Sequence, residues 1–209
     1  MIRNRQTATE AITANIPEEE KPVVYYIAGQ SDSLTTTMGC NSICADWTRL
    51  AGGIYAQSLM EDPNATEVTA EEIFAVDPDV IIVGGTYQHK LVEELQTTEG
   101  WRDLKAVQNG RVYTNPYGAF AWDRFGLESY FQMDYALLCI QPELAQEAGI
   151  SRESMVQEII DFYHLMNGTE LSYEQAGYML DGLEPDGSMS DPDAAGGASQ
   201  GGQSQGGQS

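Results

Sequence analysis

The chain has 209 residues, 42% hydrophobic and 20% charged, enough for a single core of ordinary domain size. Its 32 acidic residues against 10 basic ones give a formal net charge of −22, which excludes the basic footprint that nucleic-acid binding needs. No apolar run approaches the roughly 18 residues of a membrane span, and carboxylates scattered in this way mark a solvated surface rather than a metal site.

In chain order, residues 23–27 (VVYYI) read as a strand, followed by a polar loop over 28–38. A helix is expected over 40–50 and a short strand over 54–58. The next stretch, VTAEEIFAVDPDVIIVGG from Val68 to Gly85, is the most informative in the chain. Thr69 and Glu72 have capping-box spacing, so that hydroxyl and carboxylate each satisfy an orphan backbone donor. Ile73, Phe74 and Val76 give that helix its apolar face, and Asp77-Pro78-Asp79 stops it, because the residue before proline leaves the helical region. Val80 to Val83 is a continuous β-branched run, suited to a strand covered on both faces. Gly84-Gly85 frees the backbone where ligands of open α/β sheets bind, beyond the strand's carboxyl end. Leu91, Val92 and Leu95 mark another helix, and residues 111–114 another strand. A long amphipathic helix is expected over 126–140, stopped by Gln141-Pro142. Two last helices, over 152–166 and 173–180, have apolar residues at helical spacing, the second opened by a Ser172/Gln175 capping box. Strands separated by helices imply a three-layer αβα domain with a mainly parallel sheet. From residue 184 onward Met189 is the only large apolar side chain, and the end reads AAGGASQGGQSQGGQS; such sequence cannot offset its ordering entropy and is expected to be a disordered tail.

Four segments resemble, in the same order, the substrate-binding proteins of ABC importers for iron-siderophores, haem and cobalamin, the class III periplasmic binding proteins. They are Leu50-Ala51-Gly52-Gly53, the Val68–Gly85 stretch, Ala106-Val107-Gln108-Asn109-Gly110-Arg111-Val112-Tyr113, and Trp122-Asp123-Arg124-Phe125-Gly126-Leu127-Glu128. All four resemble parts of that family's second lobe. The resemblance therefore implies residues 1–22 as a remnant of the interlobe helix and its exit loop, 23–183 as the carboxyl-terminal lobe, and 184–209 as the tail. It also implies that the first lobe and the signal peptide are missing. The complete protein is expected outside the cytoplasmic membrane, as a lipoprotein held only by an anchor absent from this chain. Expected partners are an ABC permease and its ATPase. The expected cargo is an iron-siderophore, haem or cobalamin, with no intrinsic cofactor and no catalysis.

In the resembling family the loop after the first strand faces the cleft, which makes Thr36, Thr37 and Met38 candidate ligand contacts; the plainer reading is a Ser/Thr-rich loop capping the next helix. Tyr87 and His89 follow Gly84-Gly85 at the same end. Tyrosine can stack on a macrocycle and histidine can ligate iron, while an isolated surface histidine needs no such role. In NPYGAFAWD, residues 115–123, Tyr117, Phe120 and Trp122 put three aromatics on a loop leaving a strand. Loop aromatics suit flat, partly apolar ligands; ligand contact is the favoured reading for Tyr117 and Phe120, and packing into the domain for Trp122, which is also a candidate contact. The resemblance makes Asp123 and Glu128 candidates for docking on permease arginines, with Arg124 able to tie either down locally.

Cys40 and Cys44, one helical turn apart, are disfavoured as a disulfide, and no zinc spacing is present. Two competing classes remain: a flavodoxin-like or nitrogenase-component-like enzyme lobe with its cofactor at the same strand ends, and an interaction module that has lost its ligand.

Overall fold

Strand runs without polar interruption need cover on both faces. The computed structural model, which describes residues 2–124 and 126–190, gives them that cover. Strands β1 (Val23–Ile27), β2 (Ile54–Tyr55), β3 (Val80–Val83) and β4 (Val112–Thr114) form one parallel sheet in the order β2-β1-β3-β4. Val24 stands beside Val80 and Ile27 beside Val83, so the two central strands end level. Successive side chains point to opposite faces. Val24, Tyr26, Val80 and Ile82 enter one core, and Tyr25, Ile27, Ile81 and Val83 enter the other.

Helices complete the outer layers. On the first face lie α2 (Ile43–Leu50), α6 (Ser129–Ile140), α7 (Pro142–Glu147), α8 (Arg152–Asn167) and α9 (Tyr173–Leu180), which contribute Trp47, Phe131, Ala145, Ile159 and Leu180 to the core. On the second lie α3 (Ala70–Val76), α4 (Gln88–Thr97) and α5 (Lys105–Gln108), contributing Ile73, Leu91, Leu95 and Ala106. The three-layer αβα expectation holds. None of the helices among the described residues is long and apolar enough to cross a membrane.

The Thr69–Glu72 box is complete, with Glu72 N donating to Thr69 Oγ1 at 3.2 Å and Thr69 N donating to Glu72 Oε2 at 2.9 Å. Asp77 closes α3 in the left-handed region (φ 45°), donating its amide to Ile73 O at 2.9 Å. Its carboxylate accepts from Lys105 N at 2.9 Å and so ties α3 to α5. The Ser172–Gln175 box is also present.

Several boundaries move inward. The second helix begins at Ile43 rather than residue 40, because Ser42 caps it from Ala45 N at 3.3 Å. The strand expected over 54–58 ends at Tyr55, where the chain turns into a 3-10 segment at Ala56–Leu59. The helix expected from 126 begins at Ser129, since residues 126–128 form a turn in which Ser129 N donates to Gly126 O at 3.3 Å. Helix α1 (Ile2–Thr13) lies against the domain: Arg5 pairs with Asp134 on α6 and Glu158 on α8, 4.4 Å above the Tyr130 ring. Of the expected tail, residues 191–209 lie outside the described ones. The part before them is not extended: Glu184 N donates to Ser188 O at 2.9 Å, and Gly187 abuts the Tyr178 ring.

Candidate functional site

The carboxyl ends of β1 and β3 run into glycines because the two strand exits touch. Gly29 and Gly85 adopt φ 57° and 74°, which glycine accepts without a Cβ penalty. A Cβ on Gly29 would collide with the Gly84 carbonyl, and one on Gly85 with the carbonyls of Gly29 and Ala28. The floor of this end of the sheet is therefore bare backbone. Two arms rise beside it: residues 28–38 after β1, and residues 115–128 between β4 and α6.

Between floor and arms is a pocket of about 320 Å³ lined by Tyr26, Ala28, Gln30, Met38, Ile43, Cys44, Asp123 and Arg124. Its apolar wall comes from Ala28, Met38 and Ile43. Burial holds the Tyr26 phenol and the Cys44 thiol neutral, raising both well above their ordinary values, with the Asp123 charge adding to each shift. Arg124 is the only basic residue of the lining. Its Nε donates to Asp123 Oδ1 at 3.4 Å, and among the described residues neither terminal nitrogen has a protein partner. Arg124 is thus half-exposed in the pocket lining, and a guanidinium is a group whose shape matches carboxylate-like oxygens. The sequence reading had given Arg124 a local role only.

The expected contacts divide into outward and inward groups. Met38 is 37% exposed on the pocket wall, Tyr117 is 39% and Phe120 is 59% exposed on the second arm, and Thr36 is half-buried on the first. Tyr87 is half-buried at the head of α4, with Lys90 Nζ 6.0 Å from its ring centre. Four candidates point inward and have their partners inside the chain; for Trp122 this is the packing role expected of it. Thr37 is buried, donating to Tyr26 O at 2.6 Å and accepting from Gln57, so it fastens the first arm to β1. Trp122 is fully buried and stacked on Phe131, ring centres 5.0 Å apart, as a core plug. Asp123 is 3% exposed and accepts the Tyr26 hydroxyl beside Gly84. Glu128 is 5% exposed, and burial raises its carboxyl above the usual value against the pull of the Phe120 and Ala119 amides, its partners. Both carboxylates are therefore engaged within the chain, Asp123 by Tyr26 and Glu128 by the arm's amides. His89 Nε2 lies 3.0 Å from the Gly182 carbonyl, turned to the α9 end, and among the described residues no cluster of three or more metal-ligating side chains occurs.

The sequence profile of a family described as "Periplasmic binding protein" matches residues 1–117. The Fe(3+)-citrate-binding protein YfmC of Bacillus subtilis (strain 168) is 26% identical over 119 residues, 56% of this chain and 36% of that protein. Among solved structures, a periplasmic solute binding protein from Veillonella parvula DSM 2008 superposes with a TM-score of 0.69 at 23% identity, over 85% of this chain and 52% of that one. An ABC transporter solute binding protein from Sulfurospirillum deleyianum DSM 6946 superposes with a TM-score of 0.64 at 28% identity, over 83% of this chain and 51% of that one. The chain thus spans about half the length of these structures and about a third of the curated relative. With over half of its residues matched by the family profile and its sheet shared with these solute-binding proteins, the chain belongs to the periplasmic binding protein family.

Proposed function

We propose that this chain supplies one wall of the ligand cleft in an ABC importer's substrate-binding protein, outside the cytoplasmic membrane. There it captures an iron chelate for a permease and its ATPase. The observation that carries the reading is the Arg124 guanidinium in the lining of a mostly apolar pocket, beside Asp123. A guanidinium there suits a ligand that brings its own negative oxygens, as ferric citrate and anionic siderophores do, against the general repulsion of a chain of net charge −22. The name of the Bacillus relative, a ferric-citrate-binding protein, points the same way.

Calorimetric titration with ferric citrate, ferric hydroxamate and catecholate siderophores, haem and cobalamin tests this. A pocket of about 320 Å³ encloses only part of such a ligand. The expected affinity of the chain alone is micromolar, about −8 kcal/mol. Arg124→Gln should weaken the anionic chelates by about tenfold or more, the usual cost of a lost charge-assisted hydrogen bond, and leave cobalamin unaffected. Equal binding by wild type and variant would remove Arg124 from the site. A stoichiometric flavin in the purified protein would favour the enzyme class instead.

A further inference from the structure

Tyr26, on β1, lines the same pocket as Arg124, and the fold fixes it at both ends. Its ring packs edge-on against Trp47, centres 5.9 Å apart, and its carbonyl accepts the Thr37 hydroxyl at 2.6 Å. The phenol is fully buried and donates to Asp123 Oδ2, while Asp123 Oδ1 accepts from Arg124 Nε at 3.4 Å. All three residues of this chain belong to the one pocket lining. A carboxylate as deeply buried as Asp123 is stable only while its donors stay in place. The β3 exit makes room for the pair: a Cβ on Gly84 would collide with both the Tyr26 hydroxyl and the Asp123 carboxylate. Because the hydroxyl takes one carboxylate oxygen, Asp123 meets Arg124 through a single nitrogen and not as a two-point clamp. Among the described residues this is the guanidinium's one ion pair.

We propose that Tyr26 is a positioning residue for ligand capture: its hydroxyl anchors the Asp123 carboxylate, which holds Arg124 by one nitrogen and leaves the other donors for the negative oxygens of a chelate. This rests on the ligand-site reading given above. Setting a flexible cationic side chain in advance lowers the ordering cost that binding would otherwise carry. Without the hydroxyl, Asp123 has a free oxygen beside the guanidinium. It then either closes on the terminal nitrogens or turns to water with Arg124 following, and both withdraw the cation from the ligand.

Tyr26→Phe keeps the ring and its packing on Trp47 and removes only the hydroxyl. It should bind ferric citrate about threefold to tenfold more weakly than wild type, with no such difference in an Arg124→Gln background. By nuclear magnetic resonance, exchange of the Arg124 Nε proton should accelerate by roughly tenfold in Tyr26→Phe. Thr69→Ala, which weakens the fold at α3 alone, should leave that proton unchanged. Should Tyr26→Phe fail to fold, wild type alone decides: its Arg124 Nε proton should exchange more slowly than that of free arginine, and an equal rate would overturn the proposal. Equal weakening of ferric citrate with and without Arg124 would overturn it too, as would unchanged binding. If wild type binds none of the chelates, the ligand-site reading falls and the capture role with it, while the Nε proton still shows whether Tyr26 places the guanidinium.

Discussion

Burial separates the three thiols, all free. On α6, Cys139 is pushed up to about 12 by burial, and Cys44, on the pocket wall, is raised further by burial and then by the Asp123 charge. Both stay protonated at neutral pH and are therefore poor nucleophiles. Cys40 is half-buried. Alkylation at pH 8 followed by peptide mass spectrometry should label Cys40 first, with Cys44 and Cys139 reacting only after denaturation. Labelling of Cys44 in the folded protein would mean that the pocket wall opens. At this scale the sequence places the candidates on loops at the carboxyl end of the sheet but does not give the direction of their side chains. Tyr117, Phe120 and Met38 face outward as expected. Asp123 and Glu128 look like surface acids in the sequence; Tyr26 and Tyr163, which donate to them, lie 97 and 35 residues away, and the amides that Glu128 accepts from depend on how the arm folds back. The local tie of Arg124 to Asp123 was legible from their adjacency, whereas the pocket that Arg124 lines is assembled from residues 26–44 and is not.

Local chemistry was far more legible in the elements. The α3 capping box needs only residues 69–72, and the buried strand after it only an unbroken apolar run. Thr69→Ala should cost about 1 kcal/mol in urea unfolding at neutral pH. The amide and hydroxyl of Thr69 hold the Glu72 carboxyl below its usual value. A depressed carboxyl stabilises the fold above its unfolded pKa, and that stability is lost as pH falls through the lowered value. The gap between wild type and Thr69→Ala should therefore shrink on acidification below the usual carboxylate range; a constant gap would assign the effect to the hydroxyl alone. Elements that depend on remote partners were read less well. Gln141-Pro142 was recognised as the stop of one helix, whereas Pro142 also opens α7 from its first turn, where its missing N–H costs nothing. The box at the head of α8 pairs Ser151 with Ser154, outside the Glu/Gln pattern, and left no signal.

Across the whole molecule, α1 is fastened to the domain by Ile12 packed on the core, by the Thr13 hydroxyl donating to Leu50 O at 2.9 Å, and by one cation. Arg5 sits between Asp134, 5% exposed, and Glu158, so its removal strands a buried carboxylate. Arg5→Ala should destabilise the protein by about 3 kcal/mol. Far-ultraviolet dichroism and fluorescence of the buried Trp47 and Trp122 should still report one shared transition, and an earlier dichroism step alone would show α1 detaching first. The two glycine exits at the sheet's end carry a consequence for substitution. A methyl group at Gly29 or Gly85 would collide with the backbone of the facing strand exit, and one at Gly84 with the Tyr26 hydroxyl and the Asp123 carboxylate. Substitution is cheap only on the arms, at exposed positions such as Met38, Tyr117 and Phe120. Variation at this end of the sheet is thus left to the arms, while the paired strand exits keep the same backbone whatever the arms carry.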